Sequence, residues 1–485
     1  MLDAFGTREI LKIGIEITTE KNKYRLLEKM INKAMEISGC DAGTLYIVRD
    51  DMLHFKIMKT LSMNVNKGVE EEIGLPPIAY TEENVCSYTA IRRELVNIPN
   101  VYASDKFDFS GPKKYDRLTG YHTKSMLVIP MEDAEGKVIG VIQLINKMDQ
   151  NGTIISFTDE DAFILRSLGS MAAVSLSNMI YLEDIKHQMQ SFVQAFATAV
   201  DKRTPYNGSH TRMVTAYAVR VAERLNQLYE RGEGGECFDS TRIEQLSLAA
   251  GLHDIGKMII PLSVMNKSTR LDGLHKGIAD RFAYLRLLYE RDFLKGELSE
   301  SDYAARLAEL DKDEELISIA DKAGFLTDDL LAQINEIATH SYLGKNGKAI
   351  QYLNDDELGC LCIRKGTLTA EEREIMESHV SMTRAILDQV YLTDSYKSAL
   401  RFAGEHHEFL DGSGYPHHLT GDVLATETRI LTAVDIFDAL TCKDRPYKKP
   451  MPRDRAIAIL EQMVSEGKLD AGIVSALADV TCDME

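Results

Sequence analysis

The sequence predicts an α+β multidomain protein, with an α/β module at residues 1–180, a helical linker at 181–200 and an all-α domain at 201–485 that contains a helical insertion at about 272–366. Three observations support this fold class. A chain of 485 residues is too long to fold around one ordinary hydrophobic core. Short strand-like runs occur in the first third of the chain. In the rest, apolar residues recur at intervals of three and four residues, which is typical of helices.

The composition is that of a globular protein, with 44% hydrophobic and 27% charged residues. The formal net charge of −19 argues against a nucleic-acid polymer as partner, because a groove for many phosphates needs a concentrated basic face. There is no run of about 18 apolar residues, and charges interrupt the N-terminus. Together with seven scattered cysteines, these features predict a cytoplasmic protein with reduced thiols and no membrane partner.

The α/β module begins with a predicted helix at residues 22–40, whose apolar side chains share one face. Four β-type runs follow, GTLYIVRD, LHFKIMKT, SMLVIPME and VIGVIQLINK. The third and fourth runs are separated by DAEGK, which favours a hairpin turn. Helix, strands, a loop-rich middle, a hairpin and a closing helix indicate a sensory module.

The hairpin VIPMEDAEGKVIGVIQLINK contains Asn146 and Lys147, and Phe157 and Asp161 follow near the start of the next helix. In these residues the module resembles a GAF domain of the kind that binds cyclic nucleotides. The resemblance implies a cyclic nucleotide as ligand, although Ala162 stands where those relatives carry a second acid. The alternatives are a GAF fold that serves dimerisation or binds another small molecule.

From about residue 160 to 200, the apolar spacing of three and four predicts a continuous helix with a coiled-coil-like seam. We expect this helix to pair two chains, so that the protein is a homodimer through its linker. The alternative is a core helix followed by a second helix. The predicted seam contains Leu165, Leu168, Ala172, Ser175, Met179, Leu182, Lys186, Met189, Val193, Phe196 and Val200.

Candidate metal ligands recur within or beside apolar helical segments of the all-α region. The run before His253 and Asp254 would bury them, and a buried carboxylate needs a counter-ion or a metal. Adjacent His406 and His407 precede a turn-forming run. Imidazoles and carboxylates are ligands of borderline and hard divalent metals. The candidates are His210, His253, Asp254, His379, His406, His407 and Asp435.

Three motifs occur in order in residues 195–485: HDIGK at 253–257, HHEFLDGSGYP at 406–416 and TRILTAVDIFDALTCKDRPY at 428–447. With these motifs the region resembles an HD-GYP domain, the output module of bacterial cyclic di-GMP phosphodiesterases. The resemblance implies an all-α domain of the HD superfamily. It also implies hydrolysis of cyclic di-GMP to pGpG, with GMP open as a further product.

The resemblance implies two divalent metal ions, and mixed histidine and carboxylate ligation suits iron or manganese without excluding zinc or nickel. Two ions about 3.5–4 Å apart can supply hydroxide at neutral pH and stabilise the entering and leaving oxygens of a phosphodiester. By this resemblance one ion would be held by His210, His253, Asp254 and Asp435, and the other by Asp254, His379, His406 and His407.

Lys257 lies three residues after Asp254, so on a helix the two residues share a face and Lys257 can reach a phosphate oxygen. These two are the predicted catalytic residues, and the alternative for Lys257 is a helix-terminal lysine that bonds carbonyl groups. The resemblance also implies that the GYP loop is a surface for other signalling proteins. The substrate contacts that it implies are Tyr415, Asp438, Arg445 and Lys448.

Two departures separate this chain from typical HD-GYP sequences. Tyr206 stands where some relatives carry a glutamate for a third metal, so a two-metal site is predicted. The insertion at about 272–366 is rich in charged helical sequence, and its apolar repeat predicts a helical hairpin. We interpret it as an interaction or lid element, and the alternative is a passive helical excursion.

The predicted function is that of a cytoplasmic, metal-dependent cyclic di-GMP phosphodiesterase regulated by its GAF domain. One rival is a phosphodiesterase for another cyclic dinucleotide such as cGAMP, since most of the recognised residues would contact phosphates. A rival from a different class is a non-catalytic signalling scaffold that responds to cyclic dinucleotides. The complete set of candidate ligands argues against the scaffold.

Overall fold

The computed structural model describes residues 12–68, 73–203, 209–343, 348–394, 396–442 and 450–482. The chain divides into two compact units, Met1–Gln188 and Met189–Glu485. The first unit is built on a β-sheet, whereas the described residues of the second are helical apart from one short hairpin. The predicted α+β multidomain class is therefore confirmed.

The first unit is built on an eight-stranded sheet. Its strands are β1 (Cys40–Arg49), β2 (Met52–Thr60), β3 (Val65–Lys67), β4 (Ile78–Ala79), β5 (Val96–Ile98), β6 (Met126–Glu132), β7 (Val138–Met148) and β8 (Ile154–Ile155). The strand order is β3-β2-β1-β7-β6-β5, and every pairing is antiparallel. Strand β4 pairs with β2, and β8 pairs with β7. The four predicted β-type runs correspond to β1, β2, β6 and β7.

Successive side chains of a strand point to opposite sides of a sheet. In this sheet both sides are buried. On one face, Leu45 packs with the helix Lys23–Ser38 and the start of the helix Asp159–Arg203. On the other face, Tyr46 lies in a cluster with residues of the helix Val85–Arg92. A further short helix, Ser110–Thr119, lies between β5 and β6 in the chain.

The Asn146–Lys147 motif connects the end of β7 to its surroundings. The Asn146 side chain accepts a hydrogen bond from the Lys124 amide at 2.7 Å and donates one to the His122 carbonyl at 2.8 Å. Lys147 forms an ion pair with Asp161, whose carboxylate also accepts a hydrogen bond from the Thr158 amide. All of these contacts are internal, so in this structure the motif has a structural role.

Asp159–Arg203 is one helix of 45 residues, called the long helix below. Its length and composition are sufficient for a membrane span, but part of it is buried in protein. The predicted seam is wrong at both ends, because Leu165 and Leu168 belong to the core of the first unit and Val200 is also buried. Five residues of the middle form an outer stripe with spacing of three and four, of which four are exposed and Met189 is half-buried. The outer stripe is Leu182, Ile185, Met189, Phe192 and Phe196.

The helices of the second unit surround one large apolar cluster, with Val221, Leu246, Leu400, Val434 and Leu477 among its buried members. The principal helices outside the insertion are His210–Glu230, Ser240–Leu252, Ala370–Leu387, Lys397–Ala403, Thr426–Thr441, Arg453–Ser465 and Ala471–Val480. The short helix Leu262–Met265 and a 3-10 turn, Ile255–Met258, complete this set.

The insertion has its own hydrophobic core, which includes Phe282, Leu285, Leu310 and Ile334. It contains more than the predicted helical hairpin: the structure has four helices, His275–Leu294, Glu300–Lys322, Asp328–Thr339 and Asp355–Leu361, and a hairpin of Ser341–Leu343 with Ala349–Gln351. The sequence pattern did not reveal the additional helices, because their apolar faces pack against one another within the insertion.

The two ends of the insertion lie close together. The Thr367 hydroxyl donates to the Lys267 carbonyl at 3.1 Å, and the buried Arg270 side chain donates to the Ile363 carbonyl at 2.9 Å. Lys267 also pairs with Glu372, which lies in the first turn of the helix Ala370–Leu387. The insertion is thus anchored at its base next to a helix that carries a candidate ligand.

Candidate metal centre

The candidate ligands are brought together from five separate segments. His210 is the first residue of its helix, and His253 and Asp254 follow the end of the helix Ser240–Leu252. His379 lies within the helix Ala370–Leu387, and the adjacent pair His406–His407 follows the helix Lys397–Ala403. Asp435 lies on the helix Thr426–Thr441, called the Asp435 helix below.

These side chains form two groups that could each hold a metal ion. The first group is His210, His253 and Asp254, and the second group is His379, His406 and His407. Within each group the possible ligand atoms lie within 4.8 Å of one another. Asp435 joins the first group, since its Oδ1 is 3.2 Å from His210 Nε2 and 3.7 Å from His253 Nε2.

Asp254 faces both groups with different oxygens. Its Oδ2 lies 3.5 Å from His210 Nε2 and 3.3 Å from His253 Nε2. Its Oδ1 lies 3.5 Å from His379 Nε2 and 4.0 Å from His406 Nε2. A carboxylate in this position could offer one oxygen to each group.

Several of these atoms are buried without a hydrogen-bond partner among the described residues: His253 Nε2, Asp254 Oδ1, His379 Nε2 and His406 Nε2. Unsatisfied buried polar atoms are costly, and in a native protein each needs an explanation such as an ion. The four converge on one place with the nitrogen and oxygen chemistry of a divalent-metal site. The residues therefore fit a metal centre.

A close approach of two backbones brings the groups together. A Cβ on Gly256 would lie 1.9 Å from the His379 carbonyl oxygen, so only glycine fits at this position. The Thr383 hydroxyl accepts a hydrogen bond from the Gly256 amide at 2.9 Å and donates one to the His253 carbonyl at 2.8 Å. The turn after His253 is thereby held against the His379 helix.

The two groups differ in protonation. Burial opposes charge on His253, but Asp254 and Asp435 outweigh it and raise the His253 pKa to about 9. Burial, with nearby Lys257, lowers the pKa of His379 to about 4, and burial also lowers the pKa of His406 and His407. At pH 7 the second group is therefore neutral and offers free lone pairs, whereas His253 carries a proton that a metal ion would displace.

The other predicted residues fall into three situations. Lys257 donates from Nζ to Asp254 Oδ2 at 2.6 Å, and the Tyr415 ring stacks on His407 with centroids 4.8 Å apart. Asp438 is buried and bonds His210 rather than facing open space. Arg445 and Lys448 lie outside the described residues, as does Tyr206.

Sequence reasoning missed two buried carboxylates beside the site. Glu408 accepts hydrogen bonds from the His417 amide at 2.6 Å and the Leu419 amide at 2.9 Å, which holds the loop that carries Tyr415. Asp201, near the end of the long helix, accepts one from the Thr211 hydroxyl at 2.9 Å. Glu408 had a sequence signal, because it directly follows the histidine pair; Asp201 had none.

The chain thus has a β-sheet module followed by a helical domain that contains two groups of candidate metal ligands. Residues 24–176 match the family model of the GAF domain, and residues 356–473 match that of the HD domain. The chain therefore contains a GAF domain followed by an HD domain. The HD match begins after most of the insertion, so His210, His253 and Asp254 precede it.

Similar proteins include a 3'3'-cGAMP-specific phosphodiesterase of Vibrio cholerae, 43% identical over 99 residues, or 20% of this chain and 21% of that protein. A cyclic di-GMP phosphodiesterase response regulator of Xanthomonas campestris is 38% identical over 98 residues, covering 20% and 25% of the two chains. The chain thus spans about a quarter or less of the length of these relatives.

One similar solved structure is the GAF domain of a phosphoenolpyruvate-protein phosphotransferase from Acinetobacter. It is 16% identical, covers 38% of this chain and 99% of that one, and has a TM-score of 0.30.

Proposed function

We propose that this protein is a metal-dependent phosphodiesterase of the cytoplasm that hydrolyses cyclic di-GMP to pGpG. The observation that carries the proposal is the convergence of buried nitrogen and oxygen atoms without hydrogen-bond partners, among the described residues, on the two sides of Asp254. Relatives named as phosphodiesterases of cyclic dinucleotides support the same reaction class.

The ligand roles proposed are those of a binuclear site. The first group with Asp435 would hold one ion, the second group would hold the other, and Asp254 would bridge them. Two bound divalent ions would supply hydroxide at neutral pH and stabilise charge on the oxygens of a phosphodiester. Iron and manganese are the metals that we expect.

The remaining residues of the site would bind and orient the substrate. Lys257 is partly exposed and already lies beside Asp254, so its ammonium can pair with a phosphate oxygen. Burial raises the pKa of Tyr415, so its hydroxyl keeps its proton and can donate a hydrogen bond. Arg445 suits bidentate phosphate binding and Lys448 a point contact.

Cyclic GMP-AMP is the second candidate substrate, because one of the similar proteins is a cGAMP-specific enzyme. The two dinucleotides share their phosphates and differ in one base, so the phosphate contacts proposed here do not distinguish them. A non-catalytic scaffold is less consistent with the site, since such a protein has no need for the full set of ligands.

Hydrolysis by the purified full chain tests the proposal. The metal-free protein is loaded with iron, manganese or magnesium, given cyclic di-GMP or 3'3'-cGAMP, and the products are separated by chromatography. We expect pGpG from cyclic di-GMP with a higher kcat/KM than for cGAMP, and loss of turnover in His253→Ala. His417→Ala is the matched control, because His417 is an exposed histidine outside both groups.

Two results would overturn the proposal in different ways. A higher kcat/KM for cGAMP would replace the substrate and keep the reaction. No hydrolysis with any metal, while wild type and His253→Ala bind the dinucleotide equally, would favour the scaffold.

We also infer that the GAF domain regulates the HD domain, with a cyclic nucleotide as its ligand and a homodimer as the working form. The outer stripe of the long helix supports a second copy of this chain as partner, because its spacing of three and four suits a two-stranded coiled coil. Titration of the full chain with cAMP and cGMP, followed by calorimetry, tests whether a cyclic nucleotide is the ligand of the GAF domain.

The GYP loop, whose His417 and His418 are exposed, is the proposed surface for other signalling proteins.

A further inference from the structure

The buried histidines of the metal centre are oriented in two different ways. His253, His379 and His406 each place Nδ1 against the backbone carbonyl three residues earlier, at 2.8, 2.6 and 2.7 Å. Nδ1 must carry a proton to donate to a carbonyl, so Nε2 is the nitrogen left to face the candidate metal site. His210 differs, because its Nδ1 lies 2.6 Å from a carboxylate oxygen of Asp438.

The position of His210 in the fold explains the difference. His253, His379 and His406 all follow at least one turn of helix, and that turn supplies the carbonyl group. His210 is the first residue of its helix, so that helix has no carbonyl group three residues before it. Its Nδ1 needs another acceptor, and Asp438 supplies one from a distant part of the chain.

Asp438 is placed for this contact and for little else. It follows Asp435 by three residues on the same helix, so the two carboxylates share one face. Asp435 Oδ1 lies 3.2 Å from His210 Nε2, while Asp438 Oδ2 lies beside Nδ1. The Asp435 helix therefore contacts both nitrogens of one imidazole. Asp438 is only 4% exposed, which leaves it little surface for a substrate.

We propose that Asp438 is a positioning residue for His210, in place of the substrate contact that the sequence predicts. Its carboxylate fixes the Nδ1–H tautomer and directs Nε2 toward Asp254 and Asp435. A carboxylate also makes the imidazole a stronger ligand than a carbonyl does. This inference rests on the proposed metal centre. It adds that His210 of the first group depends on a charged partner for its orientation, whereas His379 and His406 of the second group bond neutral carbonyl groups.

Metal binding, measured without turnover, tests the inference. Wild type, Asp438→Asn and Asp438→Ala are loaded with manganese, dialysed against a graded series of chelator concentrations, and their metal content is determined by mass spectrometry. We expect one of two ions to bind roughly 10- to 100-fold more weakly in Asp438→Ala while the other is unchanged, as for loss of an outer partner of a ligand. Asp438→Asn should lie between, because an amide oxygen still accepts the hydrogen bond but lacks the charge.

Glu427→Gln is the matched control. Glu427 is a buried carboxylate of the same helix, but it pairs with Arg242 and contacts neither group. This variant should retain both ions with wild-type affinity. Thermal unfolding of the metal-free proteins shows whether each variant is folded, so a loss of metal through misfolding is recognised.

Each outcome has a distinct meaning. If wild type binds two ions and the Asp438 variants bind both equally well, the inference is wrong. If the Asp438 variants keep both ions and instead bind cyclic di-GMP more weakly, Asp438 is a substrate contact. If wild type itself binds no divalent metal, the proposed function fails with it.

Discussion

Asp254 is the residue that lies between the two candidate ligand groups. Burial alone would raise its pKa, but His253, Lys257 and His210 outweigh it, and the pKa lies well below the usual range for an aspartate. The Asp254 carboxyl group is therefore ionised at neutral pH. A single negative charge is thus available to both groups at once.

Replacement of Asp254 and of one histidine should have different effects on metal content. We expect Asp254→Asn to lose both ions, because an amide has no charge to offer either group. His406→Ala should lose the second ion and keep the first. Elemental analysis after dialysis gives the count, and activity should fall in both by more than the roughly 100-fold upper range for outer partners. Equal metal content in the two variants would contradict a bridging Asp254.

Metal binding should release protons in a pH-dependent way. The pKa of His253 is about 9 without metal, so below pH 9 an ion at the first group must displace its proton, and apparent affinity should rise as pH increases toward 9. The pKa of His379 is about 4, so near neutral pH no proton on His379 competes with an ion at the second group. Titration of manganese in weak buffer at pH 6, 7 and 8 measures the release. Two ions with the same pH dependence would contradict this difference.

At the scale of residues, the sequence predicted many of the side chains that converge at the candidate site, but fewer of the contacts that hold them in place. Adjacent His253–Asp254 and His406–His407 are visible in the chain, because neighbouring polar residues in apolar surroundings need a partner. Thr383 and Asp438 were not assigned their contacts, since each acts across more than a hundred residues of sequence. Only packing of the helices reveals such pairs.

Among the elements that carry no candidate ligand, the end of the long helix contacts residues next to the first group in the chain. Val193 packs against Gly251, two residues before His253. Asp201 bonds Thr211, which follows His210, and the Arg203 guanidinium donates to the Ile260 carbonyl at 2.8 Å. A shift of this helix would therefore be felt by both segments that form the first group.

The Val193–Gly251 contact can be tested by a double-mutant cycle. A Cβ on Gly251 would lie 2.5 Å from Val193 Cγ1, so Gly251→Ala should lower the free energy of unfolding by about 1–3 kcal/mol through overpacking. In a Val193→Ala background the same change should stabilise by up to about 1 kcal/mol, because alanine is the better helix former. Urea unfolding of the metal-free protein measures both values.

Gly359→Ala is the control for that cycle. Gly359 also lies in a helix, but nothing is within 4 Å of its missing Cβ. The substitution should be stabilising with or without Val193. If Gly251→Ala behaves like Gly359→Ala in the wild-type background, the close contact does not exist.

The elements were predicted with uneven success. The four long strands of the sheet and the helix Lys23–Ser38 were found, because the strands are short apolar runs buried on both faces and the helix has one apolar face. The seam of the long helix was misplaced, because one apolar period serves two different surfaces: the core of the first unit at its start and the outer stripe further along. A sequence pattern does not say which partner covers it.

For the whole molecule, the outer stripe predicts self-association. Leu182, Ile185 and Phe192 are 62%, 59% and 65% exposed, which is unfavourable for large apolar side chains on one helix face. We expect light scattering to give twice the 54.4 kDa mass of one chain. Ile185→Glu with Phe192→Glu should yield the monomer, while Asp184→Lys, exposed on the same helix but off the stripe, should not. A monomeric wild type at micromolar concentration would contradict the prediction.

The meeting ends of the insertion have a consequence at the level of the gene. Because the Thr367 side chain bonds the Lys267 backbone, two codons far apart in the reading frame encode residues that touch. The segment between them encodes a unit with its own hydrophobic core, so we expect that it can be exchanged in frame for a domain whose termini are equally close. The chain therefore contains an insertion site between the segment with His253 and the helix with His379. At this site we expect that another domain can be inserted, during evolution or by design.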